Sequence, residues 1–280
     1  MAGTAVTCAV SGGADSLALL VLAVASGCVV TAVHVDHGLR TGSGAEADVV
    51  AAAAARFGAR FRSERVHVGP GPNLEARARA ARYAVLPTDV LTGHTADDQA
   101  ETLLLNLLRG SGLDGAAAMR TDRHPLLGLR RRETHALCEA LGLEPVNDPT
   151  NDDRSLRRNR VRHDLVPLLD AIAERDVSAL LAREAALIRD DVALLDDLAS
   201  VLDPTDAKAL AGAPVALARR AVRRWLADPY PPDADAVERV LAVARGDVIA
   251  TEVSGGRRVS RSRSRLYLTQ PVADAGHGPG

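Results

Sequence analysis

With 280 residues, 47% hydrophobic and 25% charged, the chain is long enough for one large or two modest domains with sizeable cores. It has no run of 18 apolar residues and no basic stretch leading into an apolar one at its start. A membrane span and a secretory signal are therefore not expected, and a cytoplasmic protein is. The net charge of −2 does not by itself suggest nucleic acid, and three scattered cysteines, Cys8, Cys28 and Cys138, form no CxxC pair that would suit zinc, an iron–sulfur cluster or a disulfide framework.

In chain order, the apolar run from Ala5 to Val10 reads as a short buried strand and Leu17 to Ala25 as a helix. Between them lies Ser11-Gly12-Gly13-Ala14-Asp15-Ser16. Two glycines before a helix start let backbone N–H groups converge on an anion, which predicts a phosphate cradle. It is not a Walker A loop, because that motif needs a lysine and the only lysine here is Lys208. An acid inside the loop suits a metal bridging to pyrophosphate, and hence ATP cleaved to AMP. Taken alone, SGG also fits an ordinary turn.

The alternation continues. A strand is expected over Val29 to His34, a helix over Glu46 to Arg56, a strand over Arg60 to Val68, a helix over Leu74 to Leu86, a short strand over Val90 to Thr92 and a helix over Ala96 to Arg109. This predicts a parallel sheet with helices on both faces, and ligands at the carboxyl ends of its strands. Three polar segments fall there: Ser11 to Ser16, His34-Val35-Asp36-His37, and Gly93-His94-Thr95-Ala96-Asp97-Asp98. In the last, Asp97 and Glu101 are four apart and Asp98 and Glu101 three apart, so their carboxylates share a helix face and suit magnesium. Thr95 and Asp98 also form a capping box, and acids in a first turn complement the helix dipole, so a purely local role stands beside the chemical one. The spacing of His34, His37 and His94 matches no metal signature; polar contacts to nucleotide or substrate are expected of them.

Thirty-three of the 34 basic residues are arginine, and two clusters stand out: Arg154, Arg157, Arg158, Arg160 and Arg162, then Arg257, Arg258, Arg261, Arg263 and Arg265. Each fits a grip on a polynucleotide backbone or a solvated face. From about Asp170 the pattern turns helical, with helices over Val177 to Leu202, Ala213 to Ala227 and Ala234 to Ala244. A strand pair follows, Val248 to Val253 and Val259 to Leu268, turning at Ser254-Gly255-Gly256.

Seven segments together carry a family resemblance: SGGADS (11–16), HVDHGLR (34–40), NLEARARAARY (73–83), GHTADDQAET (93–102), LLRGSGLDG (107–115), RHPLLGLRR (123–131) and DPTNDDRSLRRNRVR (148–162). The chain resembles the tRNA(Ile)-lysidine synthetases of the N-type ATP pyrophosphatase, or PP-loop, superfamily, in the short form without an extra C-terminal domain. The first segment is common to many ATP pyrophosphatases, whereas the combination is specific. Only nine residues separate Tyr83 from Gly93, where relatives usually carry a longer helix and strand.

The resemblance implies an α/β fold: a parallel-sheet, Rossmann-like ATP pyrophosphatase domain over 1–168, a smaller helical tRNA-binding domain with a terminal β-hairpin over 169–270, and a disordered tail over 271–280. It implies a ligase that uses ATP and Mg2+ to adenylate the wobble cytidine of CAU-anticodon tRNA(Ile). Free L-lysine then displaces AMP, giving lysidine and changing codon specificity from AUG to AUA. By the same resemblance Ser11, Gly12, Gly13, Ala14, Asp15, Ser16 and His34 bind ATP and Asp15 holds magnesium, with Asp97 a further magnesium candidate from its helix spacing. Asp15, His94, Asp98, Glu101 and Arg109 form the reaction centre, with Arg109 or an arginine of the 77–82 helix neutralising phosphate. Arg154, Arg157, Arg158, Asn159, Arg160 and Arg162 contact tRNA. Monomer and homodimer both remain open. Of the rival readings, a tRNA thiolase needs suitably arranged cysteines, a small-metabolite ligase has no use for the basic run near 160, and a non-catalytic RNA-binding module has no use for the acids.

Overall fold

The computed structural model describes residues 3–36, 38, 44–67, 69, 71, 74–228 and 231–270. His37 and the expected tail over 271–280 lie outside the described residues. The chain divides into two compact units, Met1–Arg189 and Asp190–Gly280. The division falls inside one continuous helix, which no change of composition marks.

The first unit opens with β1 (Ala5–Ala9), α1 (Ala14–Ala25), β2 (Val29–Asp36), α2 (Gly44–Phe57), β3 (Arg60–Arg65), α3 (Leu74–Val85), β4 (Leu91–Thr92) and α4 (Ala96–Leu108). The strands form a parallel sheet in the order β3-β2-β1-β4, with Ala5 to Ala9 registered against Val29 to Val33. The core is built from Cys8, Leu17, Leu19, Leu20, Val30, Ala32 and Val50, so α1 lies with its leucines against the sheet. β3 ends at Arg65 rather than Val68, and as an edge strand it carries charged Arg60, Arg62 and Glu64, which discourages pairing with another chain.

Past α4 come α5 (Leu113–Ala116) and α6 (Arg131–Ala140), neither of which the periodicity predicts. α6 packs against α1, where the Cys138 thiol donates to the Ala14 carbonyl at 3.4 Å. The basic run near 160 forms α7 (Arg157–Arg160), continues through one π-helical turn over 161–165 and enters α8 (Val166–Ala173). A π turn re-aims the side chains on either side of it, and such turns recur at functional sites. α9 (Val177–Ser200) follows.

The second unit holds α10 (Ala207–Gly212), α11 (Val215–Trp225) and α12 (Ala234–Arg245), then β5 (Ala250–Val253), β6 (Arg257–Ser262) and β7 (Arg265–Thr269). Its separate core comprises Leu210, Val222, Leu226, Val237, Val240, Leu241, Val259 and Leu266. The strand expected from Val259 to Leu268 is in fact two. The chain turns over Arg263 and Ser264, Arg263 taking the left-handed conformation at φ 56° that glycine or asparagine normally supplies, so the expected hairpin is a three-stranded antiparallel sheet. α10 was not expected either; Asp206 caps it by accepting from the Lys208 and Ala209 N–H groups. No described helix is long and apolar enough to cross a membrane.

Candidate active site

The loop after β1 is held open by its own side chains. Ser16 Oγ donates to the Gly13 carbonyl at 2.8 Å and accepts from the Ser11 N–H at 3.1 Å, while Gly12 takes φ +92°. Gly13 is the N-cap of α1 with extended backbone, so the first turn of α1 presents its free N–H groups at the carboxyl edge of the sheet. The loop after β4 abuts it: a Cβ on Gly93 would stand 2.5 Å from the Asp15 carbonyl oxygen and 2.7 Å from its carbon. Glycine is required at 93 because two backbones meet there.

Asp15, in the first turn of α1, accepts from the Thr134 hydroxyl and lies 3.4 Å from Arg131 Nε. Burial pushes its carboxyl pKa up, against the lowering by Thr134 and Arg131. The capping box of α4 forms as the sequence suggests, Asp98 Oδ2 accepting from the Thr95 N–H at 2.9 Å and its hydroxyl at 3.1 Å. Asp98 nevertheless keeps a second role, since its other oxygen accepts from Arg131 Nη2 at 2.9 Å. Burial opposes its ionisation, but neighbouring His94, Arg131 and the Thr95 N–H outweigh burial and hold the carboxyl far below the usual range.

Glu101 is 2% exposed and meets three guanidiniums: Arg131 at 3.3 Å, Arg158 at 3.0 Å and Arg162 at 2.7 and 3.1 Å. Arg158 also donates to Thr102 Oγ1 at 2.9 Å. Three carboxylates, Asp15, Asp98 and Glu101, thus interleave with three guanidiniums, Arg131, Arg158 and Arg162, and their formal charges cancel. A balanced cluster of this kind can release a carboxylate to an incoming ammonium and a guanidinium to an incoming phosphate.

His94 borders the cluster, its Nδ1 3.7 Å from Asp98, and meets His124 edge to face at 5.0 Å between centroids. His124 shares a 2.6 Å hydrogen bond with Thr92 Oγ1, and burial pulls its pKa down to about 4, which keeps it neutral. His34 is buried, with Nδ1 3.1 Å from the Val10 carbonyl oxygen, and its Nε2 has no partner among the described residues. Arg109, exposed at the end of α4, stands apart from the cluster on the wall of an adjoining cavity of about 540 Å³ lined also by Arg79, His94, Thr102 and Arg158.

Several expectations need correction. Asp97 is not free for magnesium: Arg130 takes its oxygens at 2.8 and 3.1 Å and the Arg131 N–H donates at 2.7 Å, so it anchors the start of α6. The run from Arg154 to Arg162 does not present one face to RNA. Arg158 and Arg162 turn inward to Glu101, and Asn159 is buried, its amide donating to the Thr150 and Asp153 carbonyls at 2.8 and 2.9 Å. Arg154 pairs with Asp164, leaving Arg157 and Arg160 exposed beside it. In the second cluster Arg257 is buried against the Ser254 and Leu226 carbonyls, Arg261 donates to the Ala244 carbonyl at the end of α12, and Arg265 pairs with Asp203. Backbone carbonyls thus hold Arg257 and Arg261, and an ion pair holds Arg265. Sequence reasoning missed Arg131, Thr134 and His124; the adjacent arginines ending RHPLLGLRR were the one available signal. Among the described residues no three His, Cys, Asp or Glu side chains converge as a metal cage.

The family model described as PP-loop domain matches residues 2–169. The chain is 44% identical to a tRNA(Ile)-lysidine synthase of Nocardia farcinica over 96% of this chain and 92% of that protein. It is 41% identical to one of Thermobifida fusca over 94% and 89%, and 45% identical to one of Rhodococcus erythropolis over 79% and 73%. Among solved structures, the U34-tRNA thiolase of Methanococcus maripaludis, with its [4Fe-4S] cluster, shares the fold at a TM-score of 0.56 and 18% identity, covering 68% of this chain and 74% of that one. With a PP-loop domain over its first 169 residues and such relatives along nearly its whole length, the chain belongs to the tRNA(Ile)-lysidine synthase family and is an enzyme of that type.

Proposed function

We propose that this enzyme joins free L-lysine to the wobble cytidine of a CAU-anticodon tRNA(Ile), through an adenylated cytidine, releasing pyrophosphate and AMP and changing the codon read from AUG to AUA. The observation that carries the reading is the balanced cluster of Asp15, Asp98 and Glu101 with Arg131, Arg158 and Arg162, set against the loop over 11–16. Two substrates of opposite charge, a nucleoside triphosphate and an ammonium, must meet in one site, and a cluster holding both signs serves both.

In the first half-reaction the cytosine carbonyl oxygen attacks the α-phosphorus of ATP and the bond to the β-phosphate oxygen breaks, so pyrophosphate leaves. The loop over Ser11 to Ser16 offers backbone N–H groups to the leaving phosphates, and the unpartnered buried Nε2 of His34 offers a further polar contact beside the loop. Magnesium takes one or two carboxylates together with phosphate oxygens and water, so a cage of three side chains is not required. Asp15 fits that donor set, being a quarter exposed and 3.4 Å from its arginine, whereas Asp97 does not. Bound there, magnesium would supply neutralisation of the pyrophosphate charge. In the second half-reaction the lysine amine attacks the activated carbon and the carbon–oxygen bond breaks, releasing AMP. The ammonium must lose a proton first; Asp98 and Glu101 hold it, and Glu101, one turn further along α4 than Asp97, accepts the proton. Arg158 and Arg162 turn from Glu101 toward phosphate as the ammonium replaces them.

A thiolation reading finds no support in the cysteines, since Cys8 is buried with its thiol pushed up to about 12 and Cys138 is spent on a backbone carbonyl. A reaction drawing on ATP, free lysine and tRNA belongs in the cytoplasm. The test is ATP–pyrophosphate exchange with and without CAU-anticodon tRNA, followed by incorporation of labelled lysine. Exchange that needs the tRNA, and lysine fixed to it, are expected; exchange indifferent to tRNA with no lysine transfer would sink the reading.

A further inference from the structure

The cavity beside His94 and Arg158 does not end at Arg109. A second groove of about 570 Å³ shares Leu105, Arg109 and Arg157 with it, so the two adjoin along these residues. The outer groove differs in kind. It is lined by Leu105, Leu108, Val161, Leu165 and Leu168, of which Leu108 is 72% and Leu168 56% exposed, together with Arg109, Arg157 and Arg160 and with Asp164, whose charge is met by Arg154. Large aliphatic side chains left open beside a row of arginines call for a ligand that is flat and apolar on its faces and anionic along its edge.

We infer that the outer groove binds the nucleobase of a nucleotide adjoining the target cytidine, splayed out of the anticodon loop. This rests on the function proposed above. Enzymes that act on a base unstack it, and loop bases so exposed are packed between aromatic or apolar side chains. With the target base in the inner cavity, the next phosphodiester passes the junction, which Arg109 and Arg157 line, and the next base falls on the leucines. The separation of the arginines of α7 follows: Arg158 and Arg162 serve the cluster, Arg157 and Arg160 the strand leading to it.

The test uses the full chain and CAU-anticodon tRNA assembled from two pieces, carrying an abasic residue on either side of the target cytidine, against wild type and a Leu108→Ser, Leu168→Ser double variant. Both leucines are exposed, so the fold survives, as unchanged thermal unfolding would verify. Removing one of the two flanking bases should weaken binding to wild type about tenfold. The double variant should bind intact tRNA weaker by a similar factor and lose little more when that same base is removed. Independent, multiplicative losses would overturn the inference. So would a change of self-association in the double variant with tRNA binding intact, which would make the groove a contact between copies. Failure of wild type to bind or modify intact tRNA would overturn the proposed function itself and the inference with it.

Discussion

Arg131 touches Asp15, Asp98 and Glu101 at once, so removing it leaves three carboxylates facing one another with less cation between them. Arg131→Ala should cut lysine incorporation by about 10²-fold or more, as expected when a charge-positioning group is lost. Arg131→Lys, a point charge without the planar fork, should restore only part. A fall in kcat with KM for lysine little changed would mark it as a positioning residue rather than part of the lysine pocket. Asp15 tests the opposite sign. Its folded-state pKa is raised by burial, so its contribution to stability is present in full below the unfolded pKa and is lost as pH rises through the folded value. At neutral pH the ionised side chain therefore costs stability. Asp15→Asn should keep or raise the melting temperature at pH 7 while abolishing tRNA-dependent pyrophosphate release; a lower melting temperature would show that Asp15 is held for packing instead. Asp98 behaves conversely, with its pKa lowered and its stabilisation lost as pH falls below the ordinary aspartate range.

Two elements meet at Gly93, where the end of β4 touches the first turn of α1. Gly93→Ala would place a methyl 2.5 Å from the Asp15 carbonyl oxygen, and backbone on both sides leaves nothing flexible to yield. The phosphate loop must shift, and a misplacement of about 1 Å is enough to cost roughly 10²-fold in rate. The expected result is a variant with native circular dichroism and a pyrophosphate-exchange rate reduced by that order; an undiminished rate would show that the loop moves without consequence. The helix α7 makes a second prediction. Arg157→Ala with Arg160→Ala should flatten the dependence of log affinity for tRNA on log salt by roughly 0.7 to 0.9 for each phosphate no longer neutralised. Arg158→Ala, which removes a partner of buried Glu101, should leave the slope alone and abolish turnover. Identical slopes for all three would mean that RNA does not follow this helix.

At the scale of the whole molecule, two cores share no residue: one gathers on the parallel sheet and the other on α10, α11, α12 and the terminal sheet. Each unit buries its own apolar surface, so calorimetry should resolve two unfolding transitions. A non-hydrolysable ATP analogue at about 100 times its dissociation constant should add roughly 2.7 kcal/mol to the transition of the first unit and leave the second in place. A single transition raised as one by the analogue would show that the units unfold together.

The sequence alone determined what depends on neighbours along the chain. Strand–helix alternation identified the parallel sheet, glycine chemistry the loop over 11–16, and the three-residue spacing from Thr95 to Asp98 the capping box; all are set by local periodicity and backbone preference. Where local signals were weak, the elements went unread: α6 carries two arginines and two glutamates among its ten residues, and the turn at Arg263 lacks the usual glycine. The partner of each charge belonged to tertiary structure. Arg131 meets Asp15 across 116 positions, and Arg162 meets Glu101 across 61. Spacing tells which residues share a helix face but not what that face will oppose, so identical arginines four positions apart could become a shell around a carboxylate or a surface for RNA. Burial of Glu101 decided it, because a carboxylate removed from water must take its counter-charges with it.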